Sequence, residues 1–297
     1  MKHLEKSFAV SERRACRLVG QHRSSQRYQP EPPDDEPRLL EAMAALVKKH
    51  PRYGYRRIGA SLRRQGWQVN RKRIYRLWKR EGYRVPRNTH KKRGPGASEN
   101  ACHLAPALHQ DDVWCWDFIF DRDEAGRLIK WLTVTDEFTR ESLVLLPERS
   151  ITAERVIQEL LRLLQRRGVP GRIRSDNGPE LIAQAIQDWL GRAGVATLYV
   201  APGAPWENGY AESFHARLRD EFLNAETFAN LAEAQALARI WQREYNEERP
   251  HSSLGYLPPA EFAARLADLP VGATPLPPGQ PADTINHQQR TLTLAGT

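Results

Sequence analysis

The sequence predicts an α/β protein, in which a basic, all-helical N-terminal part precedes a mixed five-stranded sheet with flanking helices. Three observations support this fold class. The first third combines helical spacing of apolar residues with many arginines, residues 111–265 alternate between strand-like and helix-like segments, and a stretch rich in proline, glycine and basic residues separates the two parts. At 297 residues, the chain is long enough for two domains and a sizeable core.

The N-terminal part reads as a helix-turn-helix. Helices are predicted over 37–50, 55–66 and 71–82, with Gly66 as a helix stop and a short turn before the third helix. The third helix places Ile74, Leu77 and Trp78 on one face, which is typical of a DNA-binding helix-turn-helix. Its remaining faces carry the candidate DNA contacts Arg71, Lys72, Arg73, Arg76, Lys79 and Arg80. A basic bundle that contacts only phosphates remains an alternative, because basic residues alone do not establish base recognition.

The body contains three strands with short turns and then alternating helices and strands. Strands are predicted over 113–120, 128–136, 141–147, 171–175 and 195–200. Helices are predicted over 151–168, from a capping box at Asn177–Glu180 to about Gly194, over 206–224, and over 231–248 behind the cap formed by Asn230 and Glu233. The predicted domains are a short helical segment at 1–30, the helix-turn-helix at 31–85, a basic linker at 86–110, the core at 111–268 and a proline-rich tail at 269–297.

The positive charge is concentrated in the first third of the chain. Residues 1–110 hold 26 lysines and arginines against 9 acidic residues, a net charge of +17, whereas the rest of the chain has a net charge of −8. This asymmetry is typical of nucleic-acid binding, although a solvated basic surface is the simpler alternative. The apolar runs are too short to span a bilayer, and the first residues, MKHLEKSFAVSERR, lack the apolar core expected of a signal peptide. The three cysteines form no CxxC pair, which favours a reducing cytoplasm.

Three carboxylates fall at positions where they can converge. Asp117 lies in the first strand, Asp176 ends the fourth strand, and Glu212 lies in the first turns of the helix after the fifth strand. Each alone has a plain alternative, since Asp176 could cap a helix and Glu212 could pair with His215 or Arg219. Together they offer the hard oxygen ligands that Mg²⁺ prefers beside substrate phosphates. Thirty-five residues separate Asp176 from Glu212.

Other candidate groups rank lower. Asp121, Asp123 and Glu124 are predicted to lie in a solvated turn, and Asp136 in a hairpin turn. His251 is expected to have a structural or subunit-contact role rather than to act as a base. No zinc is expected, because the nearby histidines and cysteines at 102–115 lack paired-ligand spacing.

Four motifs carry a family resemblance. WDFIFDR surrounds Asp117, RSDNGPE surrounds Asp176, PWENGYAESFHARLRDE surrounds Glu212, and YNEERPHSSLGYLPPAEF follows at 245–262. With the 35-residue gap and a basic residue seven positions after Glu212, they resemble the DDE transposases of bacterial insertion sequences, relatives of retroviral integrases. The pattern is most similar to the second reading-frame product (OrfB) of the insertion-sequence three family. The resemblance covers residues 10–265 and includes the helix-turn-helix.

This resemblance implies a ribonuclease-H-like core that uses two Mg²⁺ ions, with Mn²⁺ as a substitute. It implies 3′-end cleavage and strand transfer at the inverted-repeat ends of an element. Asp117 would bridge the two metals, while Asp176 and Glu212 would hold one each. Arg219 and Arg217 would contact the end DNA, and Trp206 would stack on or wedge a base, although Trp206 has an equally good alternative as a packing residue.

The expected partners are DNA, a second copy of the chain and an upstream reading-frame product (OrfA), as a fusion or a separate chain. Full activity is expected to need this upstream product. The expected location is the bacterial cytoplasm, in association with the nucleoid. A non-catalytic regulator that occupies the repeat ends and a general ribonuclease-H-type nuclease remain as alternatives.

Overall fold

The computed structural model describes residues 2–28, 34–85, 106–175, 184–199 and 209–268. Contacts divide the chain into two compact units, residues 1–45 and residues 46–297. The first unit contains three short helices and the start of a fourth: α1 (Lys2–Phe8), α2 (Glu12–Leu18), α3 (Arg23–Arg27) and α4 (Glu36–Lys49). Within the described ranges, none of the helices has the length and apolar character that a membrane crossing requires.

The second unit begins with the end of α4 and a helical hairpin, α5 (Tyr55–Arg64) and α6 (Arg71–Arg80). The side chain of Asn70 caps α6 by accepting the backbone N–H of Lys72 at 2.8 Å. The two helices pack closely at Gly59, where an added Cβ would lie 3.7 Å from Ile74. Ile74, Leu77 and Trp78 are buried, which confirms the predicted apolar face of this helix.

A mixed five-stranded sheet forms the centre of the second unit, as predicted. Its strands are β1 (Val113–Arg122), β2 (Leu128–Asp136), β3 (Ser142–Glu148), β4 (Arg172–Ser175) and β5 (Ala196–Tyr199). Their order is β3-β2-β1-β4-β5. The first three strands are antiparallel, whereas β4 runs parallel to β1 and β5 runs parallel to β4. The chain order therefore places β1 at the centre of the sheet.

The remaining helices are α7 (Ala153–Arg167), α8 (Gln184–Arg192), α9 (Gly209–Leu218), α10 (Leu231–Glu247) and α11 (Pro259–Ala267). The predicted start of α8 at Asn177–Glu180 lies outside the described residues. The predicted helix over 206–224 is confirmed from Gly209, but it ends in a π-helical turn at Arg219–Leu223, where the N–H of Asn224 donates to the carbonyl of Arg219 at 2.9 Å. Asn230 caps α10, as expected.

The side chains of β1 alternate between the two faces of the sheet, and helices cover both faces. Trp114 and Trp116 point into a core that α7 and α8 complete. Ile119 lies in a second core on the opposite face, together with Phe214 of α9 and Tyr245 of α10. Asp117 shares the parity of Ile119, so the strand period places it on the face that α9 covers.

Ion pairs join the segment around α5 to the core within this unit. Arg52 pairs with Asp220, and Arg57 pairs with Glu221 at 3.0 Å, so both acidic partners lie in the π-helical turn after α9. Glu221 also accepts two hydrogen bonds of 2.6 Å from Arg249. Lys49 also pairs with Glu244 and Glu248, and Arg64 pairs with Glu261.

Candidate active site

Asp117 lies in the middle of β1, opposite Thr133 of β2. Its side chain is 17% exposed, so the carboxylate reaches solvent even though the strand is largely buried, as predicted. One of its oxygens, Oδ1, accepts the backbone N–H of Phe118 at 2.7 Å. This hydrogen bond orients the carboxylate.

Helix α9 brings a second set of polar side chains to the same face. Ala211, Phe214 and Leu218 are buried, and their spacing of three and four residues fixes which side of the helix faces the sheet. Glu212 and His215 are three residues apart on the neighbouring strip of the helix. Glu212 is exposed, whereas His215 is half-buried and reaches β1.

His215 connects α9 to both central strands. Its Nδ1 lies 3.4 Å from Oδ2 of Asp117, and its Nε2 lies 2.8 Å from Oγ1 of Thr133. Thr133 donates its hydroxyl hydrogen to the backbone carbonyl of Asp117 at 3.0 Å. The sequence interpretation treated His215 only as an ion-pair partner of Glu212. The spacing of three residues between them was the only signal of a place in the site.

The environment of His215 disfavours its charged form. Burial lowers the pKa of His215 to about 4, and the nearby positive charge of Arg219 contributes in the same direction. The imidazole is therefore neutral at neutral pH, with a hydrogen on one ring nitrogen only.

Asp176 lies outside the described residues, so its predicted convergence with Asp117 and Glu212 stays a prediction. The described backbone is compatible with it. Strand β4 runs parallel to β1 with Arg174 opposite Cys115, and β4 ends at Ser175. The last residue of β4, Ser175, is therefore level with Trp116, one residue before Asp117 on the adjacent strand.

A buried ionic cluster supports this end of the sheet. Arg174 donates from Nε to Oε1 of Glu137 at 2.6 Å, and the thiol of Cys115 donates to the same oxygen at 2.7 Å. Burial, reinforced by the charge of Glu137, raises the pKa of Cys115 well above its ordinary value. Cys115 is therefore a protonated structural thiol. The sequence interpretation did not anticipate this cluster, since its members are far apart in the chain.

The candidate DNA contacts on α6 differ in exposure. Arg73 is half-buried, whereas the other five basic residues are exposed: Arg71, Lys72, Arg76, Lys79 and Arg80. Arg217 and Arg219 are exposed beside the candidate site, and Nη2 of Arg219 donates to the backbone carbonyl of Phe120 at 3.2 Å. Trp206 lies outside the described residues.

The predicted solvated turn after β1 is wrong in part. Strand β1 extends to Arg122 and includes Asp121, and the side chain of Asp123 is fully buried. Asp123 accepts hydrogen bonds from the backbone and side chain of Arg127 at 2.9 Å and from the side chain of Arg149. Burial would raise the pKa of Asp123, but these hydrogen bonds outweigh it and lower the pKa to about 2. Asp123 is thus a structural anion.

The contacts of Asp136 and His251 also indicate structural roles. Asp136 accepts the backbone N–H groups of Phe138 and Thr139, which agrees with the expected hairpin turn. His251 is buried against Tyr245 and lies 3.1 Å from Nη1 of Arg249. Neither arrangement resembles a reactive group exposed to substrate.

Asp117 and Glu212 carry the kind of donor that a divalent cation prefers, but among the described residues no group of three or more His, Cys, Asp or Glu side chains could hold a metal ion by itself. The carboxylate of Asp117 is held by the sheet with one oxygen directed toward α9, and α9 carries the exposed carboxylate of Glu212 on the adjoining turn. Carboxylate oxygens at a partly open surface leave coordination positions for water or phosphate oxygens, as Mg²⁺ requires.

Comparison with known sequences assigns the family. Two integrase core domain families match residues 107–205 and 193–259, and an HTH-like domain matches residues 33–93. An uncharacterized 31.7 kDa protein of insertion element IS407 from Burkholderia multivorans is 39% identical over 273 residues, covering 91% of this chain and 98% of that protein. The chain belongs to the insertion-sequence three family of transposases. Transposase InsD of insertion element IS2D from Escherichia coli is 27% identical over 249 residues, covering 78% of this chain and 80% of InsD.

The transposase is a DDE-type polynucleotidyl transferase, a class whose integrase core uses divalent metal. Solved structures with similar architecture include a simian T-cell lymphotropic virus intasome, with a TM-score of 0.48 and 15% identity over 81% of this chain and 79% of that one. The HTLV-2 integrase catalytic core in complex with magnesium has a TM-score of 0.43 and 15% identity over 53% of this chain and 99% of that one.

Proposed function

We propose that this transposase cleaves the 3′ ends of its insertion element at the inverted repeats and joins them to target DNA. The observation that carries this proposal is the contact between α9 and β1, in which His215, three residues after Glu212, lies 3.4 Å from Asp117. A carboxylate fixed in the sheet and another on the adjoining helix are what a metal-dependent phosphoryl transfer requires.

Asp117, Asp176 and Glu212 would hold two divalent cations, Mg²⁺ or Mn²⁺ as a substitute. When bound, these ions promote loss of a proton from the attacking hydroxyl and offset negative charge on the leaving oxygen. The protein's own contribution is positioning. The Phe118 N–H orients the carboxylate of Asp117, and the buried face of α9 would turn Glu212 toward the same site.

The reaction proceeds as two in-line displacements. In the first, the oxygen of a water molecule bonds to phosphorus while the bond from phosphorus to O3′ of the element end breaks, which leaves a 3′-hydroxyl and releases a proton to solvent. In the second, that 3′-hydroxyl bonds to a phosphorus of the target strand, whose own O3′ leaves. Each step exchanges one phosphodiester bond for another bond to phosphorus, so no oxidant or energy source is consumed.

The basic residues around the site would bind the DNA backbone. Arg217 and Arg219 are exposed on and just after the helix that carries Glu212, and Arg219 is anchored to the carbonyl of Phe120 in β1. Their charge suits the phosphates beside the cleaved bond. The exposed basic residues of α6 would bind a more distant part of the repeat, and Trp206 would stack on or wedge a base.

The assembly would contain at least two copies of the chain, because two element ends must be joined in one event. An upstream reading-frame product, fused or separate, would supply further repeat recognition. The predicted domain boundaries serve this division of labour, with 31–85 binding DNA and 111–268 carrying the chemistry.

The test is a strand-cleavage assay on labelled DNA that carries the repeats flanking the gene, with Mg²⁺ or Mn²⁺, in the presence and absence of the fused upstream frame. Glu212→Gln is expected to abolish cleavage and joining. Glu226→Gln, a matched change at another exposed glutamate, is expected to retain both. Binding without cleavage in every form would instead support the non-catalytic regulator, and cleavage of RNA–DNA hybrids but not of repeat DNA would support a general nuclease.

A further inference from the structure

The first turn of α9, which carries Glu212, makes a cation–π contact with the turn between β2 and β3. The guanidinium carbon of Arg140, in that turn, lies 4.0 Å from the centre of the Tyr210 ring. A guanidinium within about 6 Å of a ring centre is attracted to the ring, because the π face carries partial negative charge. The contact therefore ties the β2–β3 turn to the start of α9.

The backbone at Arg140 points to a role for its side chain. Arg140 has a φ of 65°, in the left-handed region that glycine adopts readily and most other residues adopt at a cost. The N–H of Arg140 donates to the carbonyl of Asp136 at 3.0 Å, and Oδ1 of Asp136 accepts two further N–H groups of the turn. Glycine would adopt this conformation with less strain, so the strain is evidence that the arginine side chain has a function here.

The surroundings of the guanidinium make its contact with the ring important. Nη1 of Arg140 is buried, and it has no hydrogen-bond acceptor within the part of the chain that the structure describes. Cation–π attraction is stronger where the cation is shielded from water, so the Tyr210 ring offsets part of the cost of this burial. Tyr210 itself is 39% exposed, so its ring can be removed without leaving a cavity in either core of the sheet.

The place of Tyr210 on α9 connects this contact to Glu212. An α-helix turns by about 100° per residue, so Tyr210 and Glu212 project from nearly opposite sides of the helix. The stack with Arg140 therefore leaves the side of Glu212 open. Helix starts fray easily, because their first N–H groups have no partner within the helix. Since α9 begins at Gly209 and its first large buried side chain is Phe214, more than one turn later, the stack is the tertiary contact nearest to the start.

From these contacts we infer that Arg140 and Tyr210 are positioning residues, which hold the first turn of α9 so that Glu212 is directed toward the cation site. The inference rests on the proposed function, because it concerns the placement of a proposed metal ligand. Neither residue touches the ion or the substrate in this role. Without the stack, the first turn opens more often, and the carboxylate then spends less time where it can bind a cation.

Two substitutions remove the stack by different routes. Arg140→Gly also relieves the strain at φ 65°, so this variant should unfold at the temperature of the wild type or above it, although the stack is lost. Tyr210→Leu removes the ring at the exposed end of the contact. Tyr210→Phe keeps an aromatic ring over the guanidinium and is the conservative variant. Tyr28→Leu removes another exposed tyrosine and is the matched control.

The experiment uses the full chain and measures Mn²⁺ affinity by calorimetry and hydrogen exchange of the α9 backbone by mass spectrometry. We expect faster exchange in the first turn of α9 and about twofold to thirtyfold weaker Mn²⁺ binding in Arg140→Gly and Tyr210→Leu, which corresponds to the strength of a cation–π contact. The double variant should bind Mn²⁺ no more weakly than the weaker single variant, because both substitutions remove the same contact. Tyr210→Phe and Tyr28→Leu should match the wild type.

The dependence of cleavage on metal concentration gives a second measurement. Cleavage by Arg140→Gly and Tyr210→Leu should be slow at limiting Mg²⁺ and should recover at high Mg²⁺, because a misplaced ligand weakens metal binding without removing the ligand. If circular dichroism shows that Arg140→Gly is unfolded, Tyr210→Leu decides the question alone.

Failure of the inference and failure of the proposed function give different results. The inference is overturned, and the proposed function stands, if Arg140→Gly and Tyr210→Leu bind Mn²⁺ as the wild type does while Glu212→Gln weakens binding and abolishes cleavage. Faster exchange in α9 with unchanged Mn²⁺ affinity also overturns it, because the stack then stabilises the helix without positioning Glu212. If Glu212→Gln itself leaves Mn²⁺ binding and cleavage unchanged, the proposed function fails, and the inference falls with it.

Discussion

Glu221 offers the sharpest test of how the segment around α5 is held on the core. Its carboxylate accepts two hydrogen bonds of 2.6 Å from Arg249 and one of 3.0 Å from Arg57. The side chains of Glu221 and Arg249 are 7% and 4% exposed. Burial opposes the charge on Arg249, but the hydrogen bonds and charge of Glu221 outweigh it and raise the pKa of Arg249. The guanidinium therefore depends on this one carboxylate.

Glu221→Gln keeps the shape of the side chain and removes its charge. Removing one partner of a buried ion pair costs about 3–5 kcal/mol, because the other charge stays buried. Glutamine retains one acceptor oxygen, so we expect a loss near the lower end, about 3 kcal/mol in the free energy of unfolding. With a urea dependence of about 2 kcal/mol per molar, the unfolding midpoint would fall by about 1.5 M.

The matched control is Glu261→Gln, which removes a carboxylate that also contacts two arginines, Arg64 and Arg265, but is 32% exposed. Solvent screening limits such a contact to at most about 1 kcal/mol, or about 0.5 M in urea midpoint. Urea titrations followed by tryptophan fluorescence measure both variants. Equal midpoint shifts for the two variants would show that burial does not determine the strength of these contacts, and the reasoning would be refuted.

Four further substitutions test local features of the fold. Gly171→Ala should destabilise the protein by about 1–3 kcal/mol, because the added Cβ would lie 3.0 Å from the carbonyl oxygen of Asp112. In Gly191→Ala, in α8, the added Cβ meets no atom within 4 Å, so this substitution should stabilise the protein by about 0.5–1 kcal/mol. Thermal unfolding of the two variants measures both effects. Because the pKa of Asp123 is lowered in the folded protein, its charge stabilises the fold above pH 4, and this stabilisation is lost as the pH falls toward 2. Between pH 4 and pH 2, Asp123→Asn should therefore lose less stability than the wild type, which an acid titration of each protein measures. Asn230→Ala should cost about 1 kcal/mol in a urea titration, because the N–H of Glu233 loses its cap at 3.0 Å; no change would mean that the cap is not needed.

The sequence was sufficient for elements whose periodicity is strong. Strand β2 was predicted at its observed bounds, 128–136, since its apolar run lies between clear turn residues. The third helix of the helix-turn-helix was predicted over 71–82 from its apolar stripe, and the structure has it at Arg71–Arg80. Local signals of this kind do not depend on distant parts of the chain.

What the sequence did not reveal depends on contacts between distant residues. The burial of Asp123 was missed because its partner Arg149 lies 26 residues away. The contact of His215 with Asp117 and Thr133 crosses three elements, and its members are up to 98 residues apart. The π-helical turn was missed for a different reason, because residues 219–223 have ordinary helical spacing in the sequence.

The π-helical turn at Arg219–Leu223 divides the helix that carries Glu212 into two parts whose side chains point in different directions. An α-helix advances about 100° per residue, so one residue accommodated in a wider turn changes the direction of every side chain that follows relative to an uninterrupted helix. The packing of α9 on the sheet determines where Glu212 and His215 point. The ion pairs with Arg52 and Arg57 determine where Asp220 and Glu221 point. Deletion of a single residue from this turn would rotate the side chains before the turn relative to those after it, even though every side chain named here would still be present.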